Sequence, residues 1–168
     1  MRCIKYFVLT TLMAILFISP VYAKEFKHLN SSSASYDIQK LAYDLSEQNG
    51  RDYLFVLAIV EHESQGNPNC ISRTHDYGLM QINRCNNRFL KQNLGITNML
   101  DPLQNLTAGT YYIYDYISKY NSLSCALMAY NMGENKAKKL WKRGIYESKY
   151  SRKVLSIYTQ YQEEYNNI

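Results

Sequence analysis

Residues 52–68 read DYLFVLAIVEHESQGNP, and this stretch decides the fold of the chain. Asp52 can cap a helix that begins at Tyr53 and runs to about Ser64. Residues 54–60 are apolar on every side, which is typical of a helix buried in a helical core. A buried strand could show the same apolar run. The length of the segment and the Gly-Asn-Pro that ends it favour a helix.

The sequence on both sides of this stretch also has helical periodicity, so we predict a mostly α fold. A stripe of apolar residues begins near residue 36, and Asn49-Gly50 ends it. Asp101-Pro102 starts another helix, with Asp as the cap and Pro in the first turn. A short apolar helix follows at 123–130. The buried side of the helix after Asp101 is marked by Leu103, Leu106, Ile113, Ile117 and Tyr120. The apolar side of a last helix is formed by Tyr150, Val154, Ile157, Tyr158 and Tyr161. Between them, 69–87 is predicted to be loop with a minor β element at 78–82.

The amino terminus has the order of a secretory signal peptide. Basic residues come first, an apolar run follows, and residues 21–23 resemble a small-residue cleavage site. The apolar run is shorter than the roughly 20 residues that span a bilayer, although a retained anchor stays an alternative. We therefore predict a signal peptide at 1–23, a flexible Ser-rich arm at 24–35 and one compact domain at 36–168, with no repeat and no second domain.

Charge and cysteine content suggest where the protein works. The net charge is +5, and residues 133–154 hold eight Lys or Arg side chains against two Glu. Such a stretch suits an anionic polymer such as a cell wall, or is simply a solvated helix face. No nucleic-acid motif accompanies it. Export would place Cys70, Cys85 and Cys125 in an oxidising compartment, and we favour a bridge between the first two.

Glu63 is the candidate catalytic residue. It lies one helical turn after Ile59 and Val60, so its carboxyl continues an apolar face. Burial there would raise its pKa, as a general acid requires. The alternative is a structural Glu that caps or pairs at a helix end. The dipeptide His62-Glu63 could open a zinc motif, but the second histidine position is occupied by Gly66, so no metal site is predicted.

Several short motifs follow one another along the chain. They are Glu63-Ser64-x-Gly66-Asn67-Pro68, Gly78-Leu79-Met80-Gln81-Ile82, Leu100-Asp101-Pro102, Asn105-Leu106-x-x-Gly109, Ala129-Tyr130-Asn131-x-Gly133 and Tyr150-x-x-Lys153-Val154. In this order they resemble the motifs of soluble lytic transglycosylases, over about residues 39–155. The small size and the form of residues 76–83, DYGLMQIN, resemble the specialised members that accompany secretion or conjugation machines.

The resemblance implies a lysozyme-like single domain with a glycan groove and no cofactor. It implies that Glu63 is the catalytic acid and then base, cleaving peptidoglycan strands with formation of 1,6-anhydromuramic acid ends. It also implies that Ser64, Met80 and Gln81 line the groove, and that Tyr130 and Asn131 face the reacting sugar. The Tyr130 hydroxyl can hydrogen-bond the carboxyl or the substrate, or belong to a core tyrosine. Tyr150 and Lys153 are expected to be structural.

Two other functions remain open at this stage. A hydrolytic muramidase of the goose-lysozyme kind shares much of the pattern, and Asp76 could position its water or brace the loop. A non-catalytic peptidoglycan-binding assembly protein could keep the fold as a scaffold. We expect a monomer that does not bind nucleic acid, exported to the periplasm or the extracellular side of the cell wall, with a secretion or conjugation apparatus as a candidate partner.

Overall fold

A computed structural model describes residues 24–168, so the predicted signal peptide at 1–23 lies outside the described residues. Seven α-helices and one short hairpin make up this part of the chain. The helices are α1 (Tyr36–Gln48), α2 (Tyr53–Ser64), α3 (Asn87–Leu94), α4 (Pro102–Tyr120), α5 (Leu123–Met132), α6 (Glu134–Trp141) and α7 (Lys149–Asn167). The strands are β1 (Asp76–Tyr77) and β2 (Ile82–Asn83), followed by a 3₁₀ turn at Arg84–Asn86. The mostly α prediction is confirmed.

Helix α2 forms the centre of the core, as predicted. Residues 53–60 are all buried, and the helix packs between α1 and α7. The side chain of Asp52 caps it by accepting a hydrogen bond from the backbone N–H of Leu54 at 3.1 Å. The helix ends where Gln65 adopts a left-handed backbone, at φ 52°.

Helix α4 begins as predicted, but its buried face differs. The carboxylate of Asp101 accepts from the backbone N–H of Gln104 at 2.8 Å, and Pro102 is in the first turn. Leu106 and Ile113 are buried, whereas Leu103 is 48% exposed. Asn105 is also on the buried face, where its side chain accepts from the backbone N–H of Met80.

The minor β element is real but lies to either side of its predicted position. Strand β1 pairs with β2 in an antiparallel register that puts Asp76 opposite Asn83 and Tyr77 opposite Ile82. Residues 78–81, which were predicted to be extended, form the connecting turn. Gly78 makes that turn possible because its φ of 74° is readily adopted only by glycine. Two short helices, α3 and α6, had no counterpart in the prediction.

Residues 24–35 lie against the helical core and do not form a free arm. Leu29 is fully buried, and its backbone N–H and carbonyl are both held by the side chain of Gln39 at 2.8 and 3.0 Å. The ring of Phe26 packs against the aromatic rings of Tyr43 and Tyr53. The Ser-rich composition concealed these two apolar anchors. We call this packed segment, residues 24–35, the strap.

The predicted bridge between Cys70 and Cys85 is not formed, and Cys70, Cys85 and Cys125 are free thiols. The carbonyl of Cys70 holds the loop instead, by accepting from the backbone N–H of Gly78 at 2.8 Å. Cys85 lies in the 3₁₀ turn with its side chain exposed. Within residues 24–168, no helix is long and apolar enough to cross a membrane.

Candidate active site

A cavity of about 680 Å³ lies beside the end of α2, and Glu63 is in its wall. The turn between the strands forms one side of the cavity through Gln81, and α5 forms the other through Tyr130 and Asn131. Helix α4 contributes Tyr112 and Tyr116, which are one helical turn apart and so share a face. Three of the five predicted substrate-binding residues thus line the same cavity as the predicted catalytic acid.

The Glu63 carboxyl lies at the junction of α2, α5 and α7, and one hydrogen bond fixes it there. The hydroxyl of Tyr150, from α7, donates to its Oε1 at 2.6 Å. Burial raises the pKa of Glu63 to about 7, and the nearby Asp76 carboxylate adds to the rise, while the hydrogen bond from Tyr150 opposes it. The carboxyl can therefore hold a proton near neutral pH and also release it.

Tyr150, and not Tyr130 as predicted, provides the hydroxyl that bonds the Glu63 carboxyl. The Tyr130 hydroxyl donates to the backbone carbonyl of Met80 at 2.8 Å, so it does not bond the Glu63 carboxyl. Burial, followed by the Glu63 charge, raises the pKa of both Tyr130 and Tyr150 well above its ordinary value, so both phenols keep their protons. Tyr130 still lines the cavity, where its ring offers a surface for a sugar.

Ser64 and Met80 were predicted to line the groove, but both lie behind the cavity wall. The Ser64 hydroxyl is buried and donates to the carbonyl of Leu79 at 2.8 Å. Met80 is completely buried, with 0% of its surface accessible to solvent. Its main chain joins the turn to α5 through Tyr130. The two residues therefore position the turn, and their side chains do not face the cavity.

Asn105 is the main functional residue that the sequence reasoning did not assign. It is 1% exposed, and its Oδ1 accepts from the backbone N–H of Met80 at 2.8 Å. Its Nδ2 donates to the carbonyls of Tyr77 and Met99, each at 2.8 Å. One amide thus satisfies three backbone groups of the loops that form the cavity wall. An asparagine within the predicted apolar face of a helix was the available signal.

The fit of the turn against α4 depends on Gly109. A Cβ at this position would lie 2.1 Å from the sulfur of Met80, far inside contact distance. The main chain of α4 can therefore approach the turn only without a side chain here. This close approach brings the carbonyl of Met80 within reach of Tyr130.

Gln81 combines a place in the cavity wall with an unusual backbone. Its φ of 48° is left-handed, which costs a non-glycine residue conformational energy. Its Nε2 donates to the carbonyls of Cys70 at 3.1 Å and Gly78 at 2.9 Å, which holds the residue in that conformation. Such strain supported by surrounding contacts is common at functional sites.

Asp76 is a second carboxyl in the cavity wall, and it braces the loop. It accepts hydrogen bonds from the hydroxyls of Ser72, at 2.6 Å, and Thr74, and from the amide of Asn83 at 2.7 Å. Its partial burial alone would raise the pKa of Asp76, but these three donors outweigh burial and lower it. Asp76 therefore stays ionised while Glu63 can be protonated, and the two carboxyls differ in charge near neutral pH.

Comparison with known proteins agrees with this geometry. Residues 41–153 match the family model of the transglycosylase SLT domain. The transglycosylase of Enterobacteria phage PRD1 is 35% identical over 92 residues, which is 55% of this chain and 33% of that protein. Membrane-bound lytic murein transglycosylase F of Stutzerimonas stutzeri is 30% identical over 115 residues, which is 64% of this chain and 22% of that protein. The chain thus spans about a third or less of the length of these relatives.

Solved structures show the same fold. The lytic transglycosylase Slt of Pseudomonas aeruginosa superposes with a TM-score of 0.65 at 20% identity, covering 76% of this chain and 24% of that one. The 70 kDa soluble lytic transglycosylase of Escherichia coli gives a TM-score of 0.61 at 21% identity, with the same coverage. The fold is therefore the lysozyme-like fold of these enzymes, as expected. Because the family model spans more than half of its residues, the chain belongs to the transglycosylase SLT domain family.

Proposed function

We propose that this protein is a peptidoglycan lytic transglycosylase that cuts the β-1,4 bond between N-acetylmuramic acid and N-acetylglucosamine. The observation that carries the proposal is Glu63, a carboxyl with a pKa raised to about 7 in the wall of a cavity. Membership of the SLT domain family and the transglycosylase names of its relatives support the same activity.

In the first step, protonated Glu63 donates its proton to the glycosidic oxygen that leaves muramic acid. The carbon–oxygen bond breaks as the acetamido group of the same sugar stabilises the positive charge at its anomeric carbon. The hydrogen bond from Tyr150 then stabilises the carboxylate that remains, because a phenol donates more strongly to an anion than to a neutral acid. Tyr150 acts through Glu63 and is therefore a positioning residue.

In the second step, the Glu63 carboxylate removes the proton from the 6-hydroxyl of that muramic acid. The oxygen attacks the anomeric carbon and closes the 1,6-anhydro ring, which returns Glu63 to its protonated form. No water is consumed and no protein nucleophile is needed. Ordinary glycosidases use two carboxyls that flank the bond, whereas here a single carboxyl serves as acid and base in turn.

The experiment that tests this proposal is mass spectrometry of the products released from purified cell wall. We expect muropeptides that end in 1,6-anhydromuramic acid, which are one water lighter than the corresponding reducing products. Wall incubated with the Glu63→Gln variant provides the background. Release of reducing ends only would overturn the transglycosylase assignment.

The same measurement separates the two alternatives. A goose-type muramidase would yield reducing ends, and the specific observation in its favour is Asp76, a second carboxyl in the cavity wall. The three hydrogen bonds that Asp76 accepts favour a structural role over activation of water. A non-catalytic assembly protein would bind sacculi and release no muropeptides.

We also propose that the protein acts after export, on the periplasmic or extracellular side of the cell. The order of basic, apolar and small residues at 1–23 supports export, as does the wall as substrate. Recovery of the protein from the periplasm or medium, with its amino terminus at Lys24, would support this location. The likeness to small members that accompany secretion or conjugation machines makes such an apparatus the partner class, which co-purification can test.

A further inference from the structure

A second cavity, of about 870 Å³, lies between the amino-terminal turns of α7 and the end of α2. Asn131 lines both cavities, and Tyr150, whose hydroxyl holds Glu63, lines the second. The two cavities are therefore neighbours that share Asn131, and Tyr150 links the second cavity to the Glu63 carboxyl.

Three cationic side chains line the second cavity, although most of its exposed lining area is apolar. Lys149, Arg152 and Lys153 lie at spacings of three and four residues along α7, so they share one face of that helix. His62, at the end of α2, completes the group. We call the surface formed by these four residues the basic trough.

Within residues 24–168, His62 and Lys153 also share a further cavity with Glu61, Glu163 and Glu164, and Arg152 has one weak acidic partner. Glu147 lies 3.9 Å from the guanidinium of Arg152, and both side chains are 62% exposed, so the pair contributes little. Lys149 and Lys153 form no ion pair in the described part of the chain. No Asp or Glu is among the described residues that line the second cavity, so its lining has a net positive charge.

Helix stability does not explain these cations. The amino-terminal end of a helix carries partial positive charge, so it favours acidic residues and disfavours Lys and Arg. The first five positions of α7 nevertheless hold all three cations. Lys153 was expected to be structural, but it is exposed. His62 and Lys153 line the same cavity, and partial burial followed by the charge of Lys153 lowers the pKa of His62.

We infer that the basic trough binds the carboxylates of the peptide attached to muramic acid, so that the protein prefers peptide-bearing strands to strands without those charges. This inference rests on the proposed function. In that function a muramic acid lies at Glu63, and its lactyl arm carries a short peptide with several free carboxylates. The trough adjoins Tyr150, whose hydroxyl holds Glu63, and its Lys and Arg side chains offer the complementary charge.

The test compares wall-derived glycan strands in two forms, with the peptide carboxylates free and with the same carboxylates amidated. The ratio of kcat/KM on free to amidated strands measures the preference. We expect this ratio to fall about 10-fold in the triple variant Lys149→Gln, Arg152→Gln, Lys153→Gln, since each exposed ion pair contributes modestly. The wild-type preference should also shrink at high salt, because exposed charges are screened.

The matched control removes the same charge elsewhere. Lys139, Lys142 and Arg143 are exposed and lie outside both cavities. Their replacement by Gln should leave the ratio at its wild-type value. An unchanged ratio in the trough variant, or an equal fall in the control, would overturn the inference.

A binding measurement separates this inference from the proposed function. In a Glu63→Gln background, free and amidated strands are titrated with and without the three trough substitutions. A preference for free carboxylates that the trough substitutions abolish supports the inference even if product analysis finds no 1,6-anhydro ends. Equal affinity for the two strand forms in the unsubstituted trough would contradict the inference and leave the proposed reaction untouched.

Discussion

The phenolic oxygen of Tyr150 lies 2.6 Å from Oε1 of Glu63, although 87 residues separate the two in sequence. Tyr150 is in the first turn of α7, and Glu63 is in the last turn of α2. The packing of α7 on α2 therefore sets the environment of the candidate acid. Burial raises the pKa of Glu63, and this one hydrogen bond limits the rise.

Tyr150→Phe should move the alkaline limb of the pH–activity profile to higher pH. Glu63 must be protonated to begin the proposed reaction, so activity falls as the pH passes its pKa of about 7. The Tyr150 hydroxyl stabilises the charged carboxylate and so lowers that pKa. Its removal raises the pKa. The measurement is kcat/KM for release of anhydromuropeptides against pH.

Tyr146→Phe is the control for this prediction, because that ring is 56% exposed and lies outside the cavity beside Glu63. Its profile should match the wild type. If Tyr150→Phe moved the limb to lower pH or left it in place, the hydrogen bond would have no part in setting the acidity of Glu63.

Glu63→Gln should lower the activity at least about 100-fold and leave the fold intact, since general acid–base catalysis typically contributes about 10²–10⁴-fold to the rate. The amide has nearly the same shape but cannot donate and recover the proton. Anhydromuropeptide release gives the rate, and circular dichroism reports the fold. Near-normal turnover in this variant would remove Glu63 from the catalytic role.

The same variant should alter how stability depends on pH. The Glu63 pKa rises from 4.5 in the unfolded chain to about 7 in the folded one, so the folded state retains a proton that the unfolded state loses. The contribution of Glu63 to the stability of the wild type is therefore fully present below about pH 4.5 and is lost as the pH rises to about 7. The stability of Glu63→Gln should not fall in this way, because its amide does not titrate.

Denaturant unfolding of the two proteins at pH 4 and pH 8 checks this expectation. We compare the stability of Glu63→Gln with that of wild type at each pH. The variant should gain stability relative to wild type between pH 4 and pH 8, by on the order of 3 kcal/mol at most. A difference that does not change with pH would mean that the Glu63 carboxyl is not desolvated.

Asn105→Ala should destabilise the protein by about 3 kcal/mol, because two buried backbone groups and one partly buried group lose the hydrogen bonds that its amide makes. The affected groups are the N–H of Met80 and the carbonyls of Tyr77 and Met99. Thermal unfolding measures the loss. Asn93→Ala is the control, since its amide makes one exposed bond to the carbonyl of Phe89, and it should change stability by less than about 1 kcal/mol.

A thiol reagent should react with Cys85 before Cys70 and Cys125 and inhibit the proposed activity. Cys85 is exposed and lines the cavity beside Glu63, whereas Cys70 and Cys125 are partly buried. A bulky label there would obstruct the cavity. Mass spectrometry identifies the labelled residue, and Cys85→Ser should make the activity insensitive to the reagent. Failure to label this position without prior reduction would indicate a disulfide after all.

Local signals in the sequence predicted much of this fold. Asp52 and Asp101 cap the helices that follow them because the capping bond is made within four residues. The unbroken apolar run of α2 likewise predicted that this helix is buried. Glu63 was singled out by its place after that run, and the structure gives it the buried setting expected from its neighbours.

Long-range contacts limited the prediction of the site. The sequence cannot show that Tyr150, rather than Tyr130, reaches the carboxyl, because the choice depends on how α7 and α5 pack on α2. Ser64 and Met80 occur in motifs next to the cavity, but whether a motif residue faces the cavity or the core depends on the turn between them. The strap was misjudged for a similar reason, since its two apolar anchors are separated by polar residues.

Because Tyr150 comes from α7, the hydrogen bond that holds the Glu63 carboxyl forms only once α7 has packed on α2. Under the proposed function, a copy in which α7 has not yet docked lacks this fixed acid, so cleavage of glycan waits for that packing step.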